Sequence, residues 1–152
     1  MVAFDSCQFI INFQKNKLLR MDIAALCQKR IAWKGTLNAE QLAAFEAEKT
    51  AWTNEETKAE RMAEFAATFG SSDTDADGRL NRAEFEDFMT KLGQNSAARN
   101  VPFQPHSDYS DEEKDGVFAI FNAKSEGDGV TSEDFFGTMM EINAKMRELQ
   151  GN

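Results

Sequence analysis

Histidine, tyrosine, proline and cysteine are scarce in this chain of 152 residues, which holds one His, one Tyr, two Pro and two Cys. Cys7 and Cys27 stand twenty residues apart with no histidine cluster beside them, so they match neither a zinc set nor a secreted disulfide framework. A reducing compartment is the expected setting. No apolar run approaches the roughly 18 residues of a membrane span, and no basic segment precedes an apolar stretch as in a secretion signal. The chain is therefore expected to be cytoplasmic. Positive charge is also in short supply, with 17 Lys and Arg against 26 Asp and Glu and a net charge of -9. A dedicated nucleic-acid binder needs clustered Lys and Arg to neutralise phosphates, so that class is excluded. No glycine-rich phosphate loop or nucleophile elbow is found, and His106 stands alone between Pro105 and Ser107. His106 is expected to be solvent-exposed and the protein not to be an enzyme.

What the chain has in abundance is Phe, at 13 residues, and Met, at seven. Large flexible and aromatic side chains without proline or β-branched enrichment suit packed helices, and no strand-length alternation competes. An all-α fold is expected, as one domain or as two small lobes sharing a linker.

Charge is unevenly spread. Residues 1–34 hold six basic and two acidic side chains, for +4, and the remainder holds 11 and 24, for -13. The basic segment either docks as a helix on the acidic body, meets an anionic partner, or presents an ordinary solvated face.

Apolar spacing predicts a helix over 15–33 through Leu19, Ile23, Leu26, Cys27 and Ile31. Before it, Phe4, Phe9, Ile10, Ile11 and Phe13 need a surface to cover them. Asn38 with Gln41 can cap a second helix, with Leu42 and Phe45 on its buried stripe. Thr53 with Glu56 opens a third, burying Ala59, Met62, Ala66 and Phe69, and Gly70 to Ser72 ends it. A fourth runs from about Arg82 to Leu92, with Gly93 as its stop. Residues 94–109 contain both prolines and read as a linker. Ser110 with Glu113 caps a fifth helix, and a sixth runs from about Asp134 to Leu149.

Between the third and fourth helices, residues 73–84 read Asp-Thr-Asp-Ala-Asp-Gly-Arg-Leu-Asn-Arg-Ala-Glu. Carboxylates stand at positions one, three and five of this stretch, Gly78 at six, Asn81 at nine and Glu84 at twelve. A hard divalent cation takes six to eight oxygens at about 2.3–2.6 Å, and one continuous loop supplies them only by wrapping around the ion. Gly78 permits the sharp turn that this requires. The segment resembles the calcium loop of the EF-hand superfamily, the calmodulin and troponin C class. The resemblance implies a metal site of Asp73, Asp75, Asp77, the Arg79 carbonyl, Asn81 and Glu84, with Ca²⁺ as the ion and Mg²⁺ as its competitor. It also implies that Leu80 points into the core and pairs with an equivalent loop.

Two degenerate copies can be aligned with this loop. Residues 30–41 share Gly35, Leu37 and Asn38 in register but place Arg30, Ala32 and Lys34 where carboxylates belong, and Gln41 where Glu closes the shell. They are expected to pair structurally without binding calcium. Residues 122–134 fit in either of two registers one residue apart. Ser125, Glu126, Asp128 and Asp134 are the candidates for weak metal binding there, and a metal-free loop is the alternative. Leu37 lies 43 residues before Leu80, and Val130 lies 50 after it. The shorter spacing favours an N-terminal lobe over 1–93 that pairs loops 30–41 and 73–84, a linker over 94–109, and a C-terminal helix-loop-helix over 110–152. The unpaired hand would then be free to join a homodimer. The competing arrangement pairs loops 73–84 and 122–134, with residues 1–50 packed across them.

On this resemblance the protein is expected to be a calcium-responsive regulatory protein that binds an amphipathic helix of a partner protein. Met139, Met140 and Met146 are candidates for the surface that receives it. The alternatives are a light-chain-like structural subunit with little calcium dependence, or a calcium buffer.

Overall fold

The computed structural model describes residues 21–125 and 127–151, and the apolar stretch from Phe4 to Phe13, Cys7 and Leu19 lie outside them. The fold is all-α. Among the described residues six helices follow one another: α1 (Ile23–Lys34), α2 (Ala39–Ala51), α3 (Glu55–Ser72), α4 (Arg82–Ala98), α5 (Asp111–Asn122) and α6 (Ser132–Leu149). A 3₁₀ turn, His106–Asp108, lies between α4 and α5. Each helix is started by a side chain that satisfies main-chain N–H groups at its first turn. Asn38, Asn81, Ser110 and Thr131 form reciprocal capping boxes with Gln41, Glu84, Glu113 and Asp134. Asp22 accepts from the Ala25 N–H at 2.8 Å and so caps α1 at Ile23, while residues 15–20 of the helix predicted over 15–33 lie outside the described residues. α3 is capped by Asn54 rather than Thr53, because the Asn54 side chain reaches the N–H groups of both Glu56 and Thr57.

A single core joins the helices. Phe65 and Phe69 of α3 meet Phe88 of α4 and Phe135 of α6, with ring centroids of Phe65 and Phe135 5.3 Å apart. Phe85 and Phe121 extend the same cluster, and Leu26, Cys27 and Ile142 close it beneath α1. The buried face of α3 is therefore the one that holds Phe65, Thr68, Phe69 and Ser72. Ala59, Met62 and Ala66, expected inside, face water instead. Phe65 wins the core position because its ring removes far more apolar area from water than two alanines do.

The expected linker belongs to this core. α4 runs through Gly93 to Ala98, and Gly93 permits the approach of Phe103, whose Cδ1 would lie 3.2 Å from a β-carbon placed there. Farther on, His106 and Tyr109 are each only 8% exposed. Expected in solvent, His106 is held inside because its 3₁₀ turn packs against α4. Among the described residues, those before 94 and those after 109 thus share one core.

Residues 30–41 form no twelve-residue loop. Arg30, Ala32 and Lys34 lie within α1, and only Gly35 to Asn38 separate it from α2. Helical backbone hydrogen bonds hold these residues, and the resulting turn is too short to wrap an ion. α2 buries no residue fully, and Leu42 is 37% exposed, against expectation. Polar contacts hold α2 instead. Glu48 accepts from Arg61 Nε at 2.6 Å and Arg99 Nη2 at 3.3 Å, while Lys34 of α1 pairs with Glu46 at 3.0 Å.

The loop pairing follows the competing arrangement. Leu80 and Val130 form an antiparallel β-bridge, so loops 73–84 and 122–134 lie side by side. Both residues are fully buried, which ties the two loops to the core at one point. The basic segment, as far as it is described, docks on the body. Leu26 and Cys27 are buried, the Cys27 thiol points to the Ile142 carbonyl at 3.5 Å, and Lys29 pairs with Glu113 at 3.3 Å.

Candidate metal centre

The loop begins where α3 ends. Asp73 is the C-cap of that helix, donating its N–H to the Phe69 carbonyl, and its side chain turns back into the loop to accept the Gly78 N–H at 2.8 Å. Asp75 accepts from the Asp77 N–H at 3.3 Å, and Asp77 from the Arg79 N–H at 2.9 Å. These side-chain-to-backbone bonds fold the chain into successive tight turns. Gly78 sits at φ +80°, a left-handed conformation that glycine takes without cost, and Ala76 at φ +56° takes it with strain.

Glu84 closes the loop from the first turn of α4 and is 6% exposed. One carboxylate oxygen accepts the Asn81 N–H at 2.9 Å. The other accepts the N–H and the hydroxyl of Thr74 at 2.8 and 2.9 Å. These donors, the Asn81 N–H first, hold the Glu84 carboxyl below the usual carboxylate range. The side chain of Asn81 accepts the Glu84 N–H and so caps α4. Thr74 had no signal in the sequence, because the second position of such a loop supplies no ligand.

One oxygen from each of Asp73, Asp75, Asp77 and Glu84 lies within 4.8 Å of all the others. Like charges this close raise the free energy of the ionised cluster. The Asp75 carboxyl is pushed up, chiefly by the Asp73 carboxyl beside it, whereas the Arg79 N–H holds that of Asp77 down. Asp73 Oδ1 is buried and has no hydrogen-bond partner in the protein. A buried carboxylate oxygen without a donor is costly, and a bound cation supplies the missing interaction. The cluster can thus hold a metal ion, and its oxygens fit that role.

The second loop differs. Its start and end follow the two registers together: Asn122 Oδ1 accepts the Gly129 N–H at 3.0 Å as Asp73 accepts that of Gly78, while Thr131 and Asp134 repeat the cap of Asn81 and Glu84. One extra residue is accommodated between them. Of the four weak candidates, Ser125 accepts a hydrogen bond from Arg79 Nη1, Asp134 accepts the Thr131 N–H at 3.2 Å, and Asp128 faces solvent. Glu126 lies outside the described residues. Among the described residues, the one group of three or more Asp, Glu, His or Cys side chains that could hold a metal ion is that of the first loop, and Lys124 pairs with Glu141.

The three methionines do not share one surface. Met139 and Met146 are half-buried against the core, and Met140 is 72% exposed. No helix among the described residues is long and apolar enough to cross a membrane. Comparison of the chain with protein-family models, curated proteins and solved structures returns no match.

Proposed function

We propose that the protein binds one calcium ion in the loop from Asp73 to Glu84 and acts, without enzymatic activity, as an EF-hand-type regulator of a partner protein. The observation that carries this reading is the convergence of four carboxylates around the buried, unpartnered Asp73 Oδ1. Oxygens on opposite sides of an ion at about 2.4 Å stand about 4.8 Å apart, the span of this cluster. Mg²⁺, which holds its ligands at about 2.0–2.1 Å and keeps its water, fits a cluster of this width less well. An ion of charge +2 would bring the four carboxylates from -4 to -2 and relieve their repulsion.

Calorimetric titration with Ca²⁺ tests the site. One ion per chain is expected, with binding nearly abolished in Asp73→Ala and Glu84→Gln. Unchanged stoichiometry and affinity in both variants would remove the assignment. The regulatory role is tested by apolar-dye binding and partner co-purification in calcium and in chelator, where a difference is expected.

A second reading, a light-chain-like subunit with little calcium dependence, is favoured by the grip on Glu84. Its carboxylate is held in place by Thr74 and Asn81 donors of the protein itself. A loop closed in this way changes little when an ion enters. Dye binding and co-purification that are the same in calcium and chelator would select this reading.

A further inference from the structure

We propose that Arg79 is the resident cation of the 122–134 loop, so that a side chain of the first loop does in the second what a metal ion does in the first. Arg79 stands at the seventh position, where the calcium reading asks only for its carbonyl, and its side chain is free to act elsewhere. That side chain crosses to the neighbouring loop. Nη1 donates a hydrogen bond to Ser125 Oγ, which in turn accepts the Gly127 N–H at 3.3 Å. The guanidinium lies flat enough against Gly127 that a β-carbon there would sit 3.5 Å from Nη1, 3.6 Å from Cζ and 3.9 Å from Nη2.

The loop is shaped around this arm. Gly129 has φ +113°, and a β-carbon at that position would meet Arg79 Cβ at 2.8 Å and the Leu80 carbonyl at 3.2 Å. Only glycine lets the two loops approach so closely while Arg79 passes between them. The adjacent Leu80 and Val130 bridge fixes the base of the arm, leaving the planar guanidinium with few conformations to lose on binding. Lys124, at a place where the first loop has a carboxylate, is engaged by Glu141 on α6. Positive charge from the protein is thus present at the second loop. The loop holds its turns through Arg79, Ser125 and Asn122 without a metal.

Two consequences follow. The second loop takes up no ion, and its order depends on a residue whose backbone belongs to the first loop. The stoichiometry rests on the calcium reading of residues 73–84, and the dependence on Arg79 does not.

Amide hydrogen exchange on the full chain in chelator tests the dependence. Arg79→Ala is expected to speed exchange at Gly127 and Gly129 by about tenfold, the effect of losing a hydrogen bond from a charged donor. Arg79→Lys is expected to restore part of the protection. Ser125→Ala, which leaves the arm intact but removes its acceptor, is expected to give a smaller increase that does not add to that of Arg79→Ala. Exchange at Gly127 and Gly129 unchanged by Arg79→Ala would overturn the proposal. So would calorimetry of the unmutated chain that shows a second Ca²⁺ removed by Asp128→Asn. If the unmutated chain binds no Ca²⁺ and Arg79→Ala still loosens these amides, the calcium reading fails and the role of Arg79 stands.

Discussion

Leu80 and Val130, fifty residues apart in the chain, each donate an N–H to the other's carbonyl at 2.9 Å, and both side chains are fully buried. This exchange makes the two loops one unit. Anything that alters the turn of one is felt at the base of the other, and the helices that follow, α4 and α6, each begin two residues beyond the bridge. Leu80→Ala leaves a cavity under both loops and should cost about 2–5 kcal/mol. Urea denaturation checks this. A change below about 1 kcal/mol would mean that the loops are not anchored through this pair.

The register of α3 is open to a paired comparison. Phe65 touches Phe69, Phe88, Phe135 and Phe136, so Phe65→Ala should cost about 3–5 kcal/mol. Met62, one turn earlier and 38% exposed, should change stability by less than about 1 kcal/mol when replaced by Ala. Equal losses would place the helix in the register that its alanines and Met62 suggested.

Two helical glycines should respond to alanine with opposite signs. At Gly137 of α6 a β-carbon meets nothing within 4 Å, so Gly137→Ala should stabilise by about 0.5–1 kcal/mol through helix propensity. At Gly116 of α5 it would lie 2.8 Å from Met21 Cβ and 3.4 Å from the Met21 nitrogen. Gly116→Ala should therefore destabilise, by about 1 kcal/mol or more, because α5 must move away from the segment leading into α1. Thermal melts of the two variants read both signs.

His106 makes stability depend on pH. Burial, reinforced by Lys114, lowers its pKa from the ordinary 6.5, and its Nε2 is buried without a partner. Arg82 opposes its protonation as well, and Glu86 favours it. The unfolded chain therefore binds the proton more readily than the folded one. The stability that the neutral ring contributes is complete above pH 6.5 and is lost as the pH falls from there toward the lower folded value. His106→Gln should flatten this decline relative to the unmutated protein in urea midpoints taken between pH 7.5 and about 5. Parallel curves would show that His106 is not the group responsible.

Among the described helices, α2 alone buries no residue fully, and it depends on ion pairs. Glu48 lies between Arg61 and Arg99 with 16% of its side chain exposed, and Arg99 also reaches Glu64 at 2.5 Å. Glu48→Ala removes the shared acceptor and leaves two guanidinium groups facing each other. A loss of about 1 kcal/mol is expected, since water screens the pairs in part. Because α2 buries nothing fully, the change should show first as faster proteolysis within residues 39–51. Cleavage unchanged there would mean that the aromatic contact of Trp33 with Phe45, 5.8 Å between centroids, suffices.

The candidate metal loop was the most legible part of the chain because all of its chemistry is local. Twelve consecutive residues carry the carboxylates, the turn glycine and the closing glutamate, and the hydrogen bonds that shape the turn run between residues two to five apart. The capping boxes of Asn38 with Gln41 and of Ser110 with Glu113 were readable for the same reason. What could not be read was anything that depends on one helix choosing a neighbour. His106 looked like a lone linker residue because the segments that bury it are distant in sequence. The loop-like alignment of residues 30–41 overlooked that Arg30, Ala32 and Lys34 are good helix positions once Leu26 and Cys27 have a surface to dock on.

The sequence by itself determined the helical class, most of the helix starts and the cluster of Asp73, Asp75, Asp77 and Glu84, since each follows from periodicity or from contacts within one turn. Tertiary structure decided that Leu80 pairs with Val130 rather than Leu37, that α3 turns Phe65 inward, and that Arg79 reaches Ser125. Spacing along the chain weighed only the entropy of closing a loop, and 43 residues against 50 differ there by a negligible amount. The choice fell to the burial of Phe85, Phe121 and Phe135 around the second pairing, an effect proportional to apolar area and visible only when the helices are packed.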